Sequence, residues 1–463
     1  MLEKIAGKRV LVLGLGRSGR AAARLLLRAG VDTLVINDNK RKDLLQEEIG
    51  ELCAFPNVQV FTGVHRAELL QDISMVIKSP GINPRLSLLK EAGRRGIEIF
   101  SEVELAYHFC PVPIAAITGT NGKTTTVALT GEIFRRQFPR VQVAGNIGFP
   151  LCEAVMQSDA GDYIVAELSS FQLADVRDFH PRIAAILNIS PDHLDYHGSM
   201  EDYIGAKRNI FLRQQPGDWS ILNWDDSLTR DLAPFVRGNL LPFSRHVQPS
   251  PGVFIKEGYI LINDGSENIP VCPIAEVRIP GEHNLENALA ATAVSWAAGV
   301  AVEGIAAGLR IFPGVPHRLE EVGIIRGVKY VNDSKGTNPE ATLKAIKALK
   351  GPKILIAGGM NKGSSFSPLA LSLAKEEVKI LLLLGETAPL LEEAARRAGF
   401  NAVLAVTDLR DAVRKAFHSA AEGDIVLLSP ACASWDMFRD YEERGEIFRR
   451  EVLALKEGCG HEK

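Results

Sequence analysis

An apolar, strand-like run that breaks into a glycine-containing loop constrains this chain most. Residues 114–118 read Ile-Ala-Ala-Ile-Thr, the loop 119–122 reads Gly-Thr-Asn-Gly, and Lys123 and Thr124 follow at a predicted helix start. Backbone N–H groups of such a loop, the positive end of the helix dipole and the lysine charge together favour a phosphate. The threonine hydroxyl suits a nucleotide-bound Mg²⁺. The segment predicts a nucleotide site, although Ile117 occupies the first glycine position of G-x-x-x-x-G-K-[ST].

Length and composition narrow the class of protein. A chain of 463 residues exceeds one ordinary core, and we expect about three domains. Its 53 basic and 56 acidic residues nearly balance, which argues against a nucleic-acid or membrane-surface partner. The six cysteines lack C-x-x-C spacing, so we expect neither a zinc site nor a disulfide framework. Apolar runs are too short for a membrane span, and we expect a cytoplasmic protein.

Short apolar runs alternate with helical patterns along most of the chain. The clearest strand-like runs are residues 9–13, 33–37, 164–167, 183–189, 353–357 and 425–428. Such alternation predicts an α/β fold with mostly parallel sheets. Prolines at 111–113, and prolines with a glycine at 312–316, interrupt the pattern and suggest two domain boundaries.

A second glycine-rich turn follows the first predicted strand. It has the spacing G-x-G-x-x-G, at Gly14, Gly16 and Gly19. Asp38 ends the second strand, where a dinucleotide fold places its ribose-binding acid. A segment of about 100 residues holds little more than one mononucleotide-binding half, so a uridine or similar nucleotide fits more easily than NAD. A purely structural turn is the third interpretation. Ser79 to Gly81 follow a later strand, either as phosphate donors or as an ordinary turn.

Polar residues also follow two strands of the middle segment. Glu167 ends one apolar run, and Asp192 and His193 follow the next. Parallel strands gather their ligands at their carboxyl ends, so we interpret Glu167 as a Mg²⁺ ligand and His193 as functional rather than structural. Lys207 lies in a helical pattern, and spacing alone predicts an exposed lysine there.

Three polar loops follow strands in the last segment, at residues 331–340, 358–363 and 429–435. Their charged and hydroxyl side chains include Asp333, Lys335, Lys362 and Ser434. Together they predict a crevice that faces anions and forms a second wall of the nucleotide site. The alternative for the first loop is an ordinary helix N-terminus, capped by Thr337 or Asn338 ahead of Pro339.

With these residues in place, the chain resembles the Mur ligase family over essentially its whole length. The blocks that carry the resemblance are residues 118–125, 145–148, 167–173, 192–195, 280–288, 316–318, 332–335 and 428–434. The absence of the first glycine of the phosphate loop is a common feature of this family. The resemblance is closest to members that add D-glutamate to UDP-N-acetylmuramoyl-L-alanine in peptidoglycan precursor synthesis.

The resemblance implies three α/β domains. Residues 1–101 would form a Rossmann-like domain for the UDP substrate, 102–314 a central P-loop ATPase domain with a mostly parallel sheet, and 315–463 a Rossmann-like C-terminal domain. It favours the uridine nucleotide over NAD in the first segment. It also implies a monomeric cytoplasmic enzyme whose partners are the UDP substrate and D-glutamate.

The resemblance further implies an ATP-dependent ligase that works through an acyl phosphate. Thr124 and Glu167 would hold one Mg²⁺, and His193 would hold a second together with Lys207 carbamylated by CO₂. Catalytic roles would fall to Lys123, His193, Lys207 and Lys335.

The remaining site residues follow from the same resemblance. ATP would meet Gly119, Thr120, Asn121, Gly122, Lys123, Thr124, Thr125, Asn284, Asn287, Arg318 and Asp333. The UDP substrate would meet Gly14, Gly16, Asp38, Ser79, Gly81 and Asn146. D-Glutamate would meet Thr337, Lys362 and Ser434.

Other ligases and a non-catalytic protein are the alternatives. Diamino-acid-adding members of the family carry an Asp-Asn-Pro-Arg block, and the chain contains none. Alanine-adding members differ around the phosphate loop and at the start of the chain, and folylpolyglutamate synthetases lack the leading Rossmann-like segment. A nucleotide sensor without catalysis would have no need of Glu167, His193 and Lys207 together.

Overall fold

The computed structural model describes residues 5–361 and 363–460, which form two compact units. One unit comprises the described residues up to Arg278 together with Glu282–Phe312. The other comprises Ile279–Gly281 and the described residues from Pro313 onward. Among the described helices, none combines the length and the apolar character that crossing a membrane requires.

The first unit opens with a five-stranded parallel sheet in the order β3-β2-β1-β4-β5. Its strands are β1 Arg9–Leu13, β2 Thr33–Asp38, β3 Val58–Thr62, β4 Met75–Lys78 and β5 Glu98–Ser101. The helices of this part are α1 Arg17–Arg28, α2 Gln46–Gly50 and α3 Ser87–Arg94. The strands β1, β2 and β4 are mostly apolar and almost wholly buried, as expected of a sheet covered on both faces.

A six-stranded parallel sheet follows, in the order β11-β10-β9-β6-β8-β7. Its strands are β6 Ile114–Thr118, β7 Val141–Gly145, β8 Tyr163–Glu167, β9 Ile183–Ile186, β10 Trp219–Leu222 and β11 Asn239–Leu240. The helices are α4 Glu102–Phe109, α5 Lys123–Phe134, α6 Leu151–Met156, α7 Ser170–Leu173, α8 Leu194–His197, α9 Met200–Arg208, α10 Ser227–Arg230, α11 Glu282–Ala297 and α12 Val302–Ile311. Because β6 lies between β8 and β9, the loops after these three strands meet at one edge of the sheet.

A small, largely antiparallel sheet was not predicted from the sequence. Its strands are β12 Phe243–Ser244, β13 Gly252–Lys256, β14 Tyr259–Asn263 and β15 Asn268–Pro273. The last three pair antiparallel. Buried Ile260 and Ile262 alternate with more exposed neighbours on β14, which is the period-2 signal of a half-buried strand.

The second unit contains one six-stranded sheet in the order β16-β17-β21-β18-β19-β20. Its strands are β16 Glu320–Ile325, β17 Val328–Asn332, β18 Lys353–Gly358, β19 Val378–Leu384, β20 Val403–Ala405 and β21 Ile425–Leu428. The helices are α13 Pro339–Ala348, α14 Ser367–Ser372, α15 Ala388–Arg397, α16 Leu409–Ser419 and α17 Tyr441–Gly460. Only β16 runs antiparallel among these described strands, so the predicted α/β class with mostly parallel sheets is confirmed.

The end of one strand differs from the sequence prediction because the backbone beyond it forms hydrogen bonds with another loop. The strand predicted over 183–189 ends at Ile186, because the backbone beyond it bonds to the phosphate-loop segment. The N–H of Leu187 donates to the carbonyl of Thr118 at 2.9 Å, and the N–H of Thr120 donates to the carbonyl of Asn188 at 2.9 Å.

The glycine-rich turn between β1 and α1 depends on one close approach. A Cβ added to Gly19, in helix α1, would lie 1.8 Å from the carbonyl oxygen of Gly14. The hydroxyl of Ser79 donates to that same oxygen at 2.9 Å. The absence of a side chain at Gly19 therefore lets helix α1 approach the turn that joins β1 to it.

Two helical glycines provide a matched test of this approach. We expect Gly19→Ala to destabilise the protein by about 2 kcal/mol or more, because the added methyl overlaps a backbone carbonyl. Gly93→Ala, in helix α3, should instead stabilise it by up to about 1 kcal/mol, since no heavy atom lies within 4 Å of the added carbon. Urea unfolding of both variants measures the difference. Equal unfolding midpoints would show that the turn tolerates a side chain.

Candidate active site

The phosphate loop, residues 119–122, connects β6 to helix α5. Gly122 has φ +81° at the start of α5, and a Cβ there would lie 2.3 Å from Asn287 Oδ1. Thr126 Oγ1 donates to that Asn287 oxygen at 3.2 Å. Asn287 Nδ2 in turn donates to Asn284 Oδ1 at 3.1 Å. The two asparagines that the resemblance assigns to ATP are thus joined to the helix that follows the phosphate loop.

Asn188, which the sequence analysis did not single out, shapes the same loop. Its carbonyl accepts from the N–H of Thr120 at 2.9 Å, and its Oδ1 accepts from the N–H of Asn121 at 2.8 Å. These two N–H groups are therefore engaged with Asn188. Donors for an anion then come from the first turn of α5, whose N–H groups point along the helix axis.

Two lysine ammonium groups converge on one carbonyl oxygen of the loop. Lys123 Nζ donates to the Gly119 oxygen at 2.8 Å and to the Thr120 oxygen at 2.9 Å. Lys207 Nζ donates to the same Gly119 oxygen at 2.9 Å. The prediction from spacing that Lys207 is exposed is wrong, because this residue of α9 is 1% exposed. Burial, and after it the charge of Lys123, lower the pKa of Lys207 well below its ordinary value, against the opposing effect of Asp192.

Tyr203 is a second residue of the site that sequence reasoning missed. Its hydroxyl lies 2.9 Å from Thr120 Oγ1, and its ring centroid lies 4.7 Å from Lys207 Nζ. The side chain is 1% exposed. A tyrosine at helical spacing carries no signal for such a position, since the same pattern suits any core-facing helix.

Glu167 ends β8 with one carboxylate oxygen satisfied and the other not. Oε1 accepts from Asn146 Nδ2 at 2.7 Å. Oε2 is buried without a hydrogen-bond partner among the described residues, and such an oxygen costs free energy unless a ligand meets it. The N–H of Asn146 also donates to the Glu167 carbonyl at 2.8 Å. The structure thus joins the predicted metal ligand to a residue predicted for the UDP substrate.

His193 is the N-cap of helix α8 with φ +51°, and its side chain is 48% exposed. Its Nε2 lies 3.5 Å from Asp192 Oδ2, and its ring packs 4.7 Å from the ring of Phe171. Burial, followed by the charges of His193 and Lys207, lowers the pKa of His197. His197 connects His193 to Lys207, because its ring lies 5.7 Å from that of Phe171 and 5.3 Å from that of Tyr203.

Glu104, His108 and Asp178 have the spacing of a metal site but serve as a backbone cap. Glu104 Oε2 accepts from the N–H groups of Arg177 at 2.8 Å and Phe179 at 3.1 Å. Oε1 accepts from the N–H of Asp178 at 2.8 Å and lies 3.0 Å from His108 Nε2. These hydrogen bonds use the lone pairs that a metal ion would need.

Only some of the residues predicted for the UDP substrate come together at the glycine-rich turn between β1 and α1. Asp38 Oδ2 accepts from the N–H of Leu15 at 2.7 Å, and Oδ1 accepts from the N–H of Lys40 at 2.9 Å. Both oxygens of this nearly buried carboxylate therefore hold the fold. Gly14 and Ser79 are brought together by their hydrogen bond. The other two predicted positions are the N-cap of α1 and the exposed turn after β4, at Gly16 and Gly81.

The second unit gathers polar residues after neighbouring strands β17 and β21. Asp333 Oδ2 accepts from Ser429 Oγ at 2.7 Å, and Oδ1 accepts from the N–H of Leu319 at 3.3 Å. Burial raises the pKa of Asp333 to about 7, against those hydrogen bonds and the charges of Arg318 and Arg444.

The remaining predicted residues of this unit are placed as follows. Lys335 Nζ lies 5.5 Å from the ring centroid of Tyr441. Thr337 is half-buried, and its N–H donates to the Lys335 carbonyl at 2.9 Å. Asn338 caps helix α13 by accepting from the N–H of Ala341. Ser434 is 2% exposed. Lys362 lies outside the described residues.

Comparisons with known proteins match nearly the whole length of the chain. The model of the Mur ligase MurD-like N-terminal domain matches residues 8–101, the Mur ligase middle domain 117–295, and the Mur ligase glutamate ligase domain 317–432. A UDP-N-acetylmuramoylalanine--D-glutamate ligase from Thermoanaerobacter pseudethanolicus is 46% identical over 98% of this chain and 100% of its own length. The chain belongs to the Mur ligase family. This confirms the predicted resemblance.

Further similarities extend over the full architecture of this Mur ligase. A relative of the same name from Caldanaerobacter subterraneus subsp. tengcongensis is 46% identical over 97% of this chain and 99% of its own. The solved structure of a UDP-N-acetylmuramate-alanine ligase from Thermotoga maritima has a TM-score of 0.57 at 19% identity, and covers 97% of this chain and 99% of that one. The structural similarity supports the fold of this Mur ligase, with the three-domain α/β architecture expected from its sequence.

The carboxyl of Asp333 gives this Mur ligase a pH-dependent stability with a defined sign. Its folded pKa of about 7 exceeds the ordinary value of 3.8, so the native state binds the proton more tightly than the unfolded state. Stability should therefore fall as pH rises from about 4 to 7. In Asp333→Asn this loss should disappear. Denaturant unfolding across that range measures it, and the exposed control Glu422→Gln should follow the wild type. Parallel curves for wild type and Asp333→Asn would contradict the assignment.

Proposed function

We propose that this Mur ligase joins D-glutamate to UDP-N-acetylmuramoyl-L-alanine in an ATP-dependent step of peptidoglycan precursor synthesis. The observation that carries the proposal is the 46% identity over 98% of the chain to a relative named for that product and amino acid. The match of residues 317–432 to a glutamate ligase domain supports the same amino acid.

The proposed reaction has two steps. A carboxylate oxygen of the UDP-linked alanine attacks the γ-phosphorus of ATP, ADP leaves, and an acyl phosphate forms. The amine of D-glutamate then attacks the acyl carbon, inorganic phosphate leaves, and the nitrogen gives up a proton as the amide forms. Both steps crowd negative charge, so the protein contributes chiefly alignment and charge neutralisation.

Lys123 is the main cationic side chain of the phosphate loop in this proposal. Its ammonium lies across the loop, held by the carbonyl oxygens of Gly119 and Thr120. The start of helix α5 directs its positive dipole end to the same place. Charge on the transferred phosphoryl group would be stabilised by both.

The oxygen donors at the loop fit a magnesium ion. Glu167 Oε2 is buried without a hydrogen-bond partner among the described residues, and Thr124 lies in the first turn of helix α5. Carboxylate and hydroxyl oxygens are the donors that Mg²⁺ prefers. We assign Thr124 and Glu167 to a first ion and His193 with carbamylated Lys207 to a second. When bound, such ions would neutralise phosphate charge.

The surroundings of Lys207 support the proposed carbamylation. The lysine nitrogen must be a neutral amine to attack the carbon of CO₂, after which it loses a proton and leaves an anionic carbamate. Burial and the nearby charge of Lys123 both favour the neutral amine. A carbamate there would attract the charge of Lys123 and would add oxygen donors for a cation.

The second unit would supply the amino-acid and ribose contacts. We assign Asp333 to the ribose, Arg318 and Lys335 to the phosphates, and Thr337 and Ser434 to the carboxylate of D-glutamate. Lys362 belongs to the same assignment from the sequence alone. The buried hydroxyl of Ser434 and the half-buried hydroxyl of Thr337 suit a carboxylate acceptor because a hydroxyl donates to it directly.

We expect the enzyme to act in the cytoplasm as a monomer. The five cysteines whose side chains are described are all unpaired, as in proteins of reducing compartments. The formal net charge of −3 gives no reason to expect nucleic acid as a partner.

A substrate panel tests the proposed reaction. Purified protein with ATP, Mg²⁺ and UDP-N-acetylmuramoyl-L-alanine should release phosphate and form an amide with D-glutamate, but not with L-lysine, meso-diaminopimelate or L-alanine. Lys123→Ala should lose about 3 kcal/mol or more of transition-state stabilisation, by analogy with loss of a preorganised donor. Amide formation with another amino acid would point to a different ligase. Nucleotide binding without amide formation would favour a sensor.

Isotope labelling tests the carbamate separately from activity. Protein equilibrated with ¹³C-bicarbonate should show a carbamate carbon resonance that is lost in Lys207→Arg, because arginine cannot form this adduct. Lys90→Arg, an exposed lysine of helix α3, is the matched control and should keep the resonance. Identical spectra for wild type and Lys207→Arg would remove the modification from the proposal.

A further inference from the structure

Arg444 is a buried guanidinium that the proposed reaction leaves without a role. It lies in the first turns of helix α17 and is 1% exposed. Its Nε donates to Ser334 Oγ at 2.9 Å, and its Nη2 donates to the Ser334 carbonyl at 2.8 Å. Its Nη1 donates to the Cys432 carbonyl at 3.2 Å. One planar group therefore joins two different loops.

Both loops carry residues of the proposed site. Ser334 stands between Asp333 and Lys335, and Cys432 stands two positions before Ser434. The guanidinium therefore holds a residue next to the assigned ribose and phosphate contacts, and another residue two positions before an assigned D-glutamate contact. A displacement of Arg444 would move the two loops relative to each other.

Helix α17 anchors the guanidinium firmly. Ser334 Oγ donates to the Tyr441 carbonyl at 2.8 Å, and Asn332 Nδ2 donates to the Gly445 carbonyl at 3.2 Å. A Cβ at Gly445 would lie 2.1 Å from His317 Nδ1. The start of the helix is therefore fixed against the loop after β17 on both sides of Arg444.

The charge of Arg444 is not balanced by a direct ion pair. Within residues 5–361 and 363–460, no carboxylate oxygen lies within 4.0 Å of its nitrogens, and its three acceptors are neutral oxygens. Burial lowers its pKa to about 10, against the charges of Cys432, Asp436 and Asp333, so it stays protonated at neutral pH. A buried cation without a counter-ion carries a desolvation cost, which its three hydrogen bonds offset.

We infer that Arg444 is a positioning residue that sets the spacing between the Asp333–Lys335 loop and the Ser434 loop for the amine-addition step. It acts through Ser334 and Cys432 rather than by touching a substrate. The inference rests on the proposed function and deepens it. Lysine cannot replace it, because one ammonium cannot present three donors in the fixed plane that these three acceptors require.

Steady-state kinetics of Arg444→Lys test the inference, with Arg450→Lys as the matched control. Arg450 lies on the same helix with its side chain 71% exposed. In Arg444→Lys we expect the KM for D-glutamate to rise and kcat to fall by about tenfold or more, since displaced contacts lose alignment. The KM for the UDP substrate should stay within about twofold, because its assigned residues lie in the other unit. Arg450→Lys should match the wild type.

Two further measurements separate positioning from folding. Ser334→Ala removes only one acceptor and should shift the D-glutamate KM in the same direction by a smaller factor. Free guanidinium ion at millimolar concentration should restore part of the kcat of Arg444→Ala. Unchanged kinetics in Arg444→Lys, or an equal rise of all three substrate KM values without guanidinium rescue, would overturn the inference. Failure of the wild type to form any amide would instead defeat the proposed function.

Discussion

The convergence of Lys123 and Lys207 on the carbonyl oxygen of Gly119 is the interaction around which the first unit is arranged. It requires β6 to lie between β8 and β9, so that the phosphate loop and the Asn188 segment meet at one sheet edge. It also requires α9 to present Lys207 inward. Two lysines on one acceptor repel each other whenever both are charged, and this repulsion lowers the pKa of Lys207 in addition to its burial.

Much of the fold could be predicted from the sequence because local pattern and topology agree. Apolar runs bounded by glycine and proline identified the parallel strands, and the phosphate loop begins its helix at Lys123 as expected. The antiparallel sheet 243–273 was not predicted, although alternation on β14 offered a signal. Strand ends such as Ile186 were not predictable, since the loop after the neighbouring strand β6 decides them.

The candidate site was predictable only where residue type and strand position coincide. Glu167 ends strand β8 and lies at the carboxyl end of the sheet, as its position in the sequence indicates. Lys207 looked exposed from spacing, and only family resemblance placed it in the site. Asp38 matched a motif, yet both its oxygens hold backbone N–H groups. Arg444 carries no sequence signal, because its role depends on two loops that only the folded sheet brings together.

Gly122 ties nucleotide choice to loop geometry. Its missing side chain admits Asn287, which also bonds Thr126 and Asn284, so the two asparagines assigned to ATP are connected to the loop assigned to its phosphates. The distance between the asparagines and the phosphate loop is then set by these direct contacts. A change of preferred nucleotide would have to come from residues between these two sets of contacts, since any side chain at Gly122 would push Asn287 away from the loop.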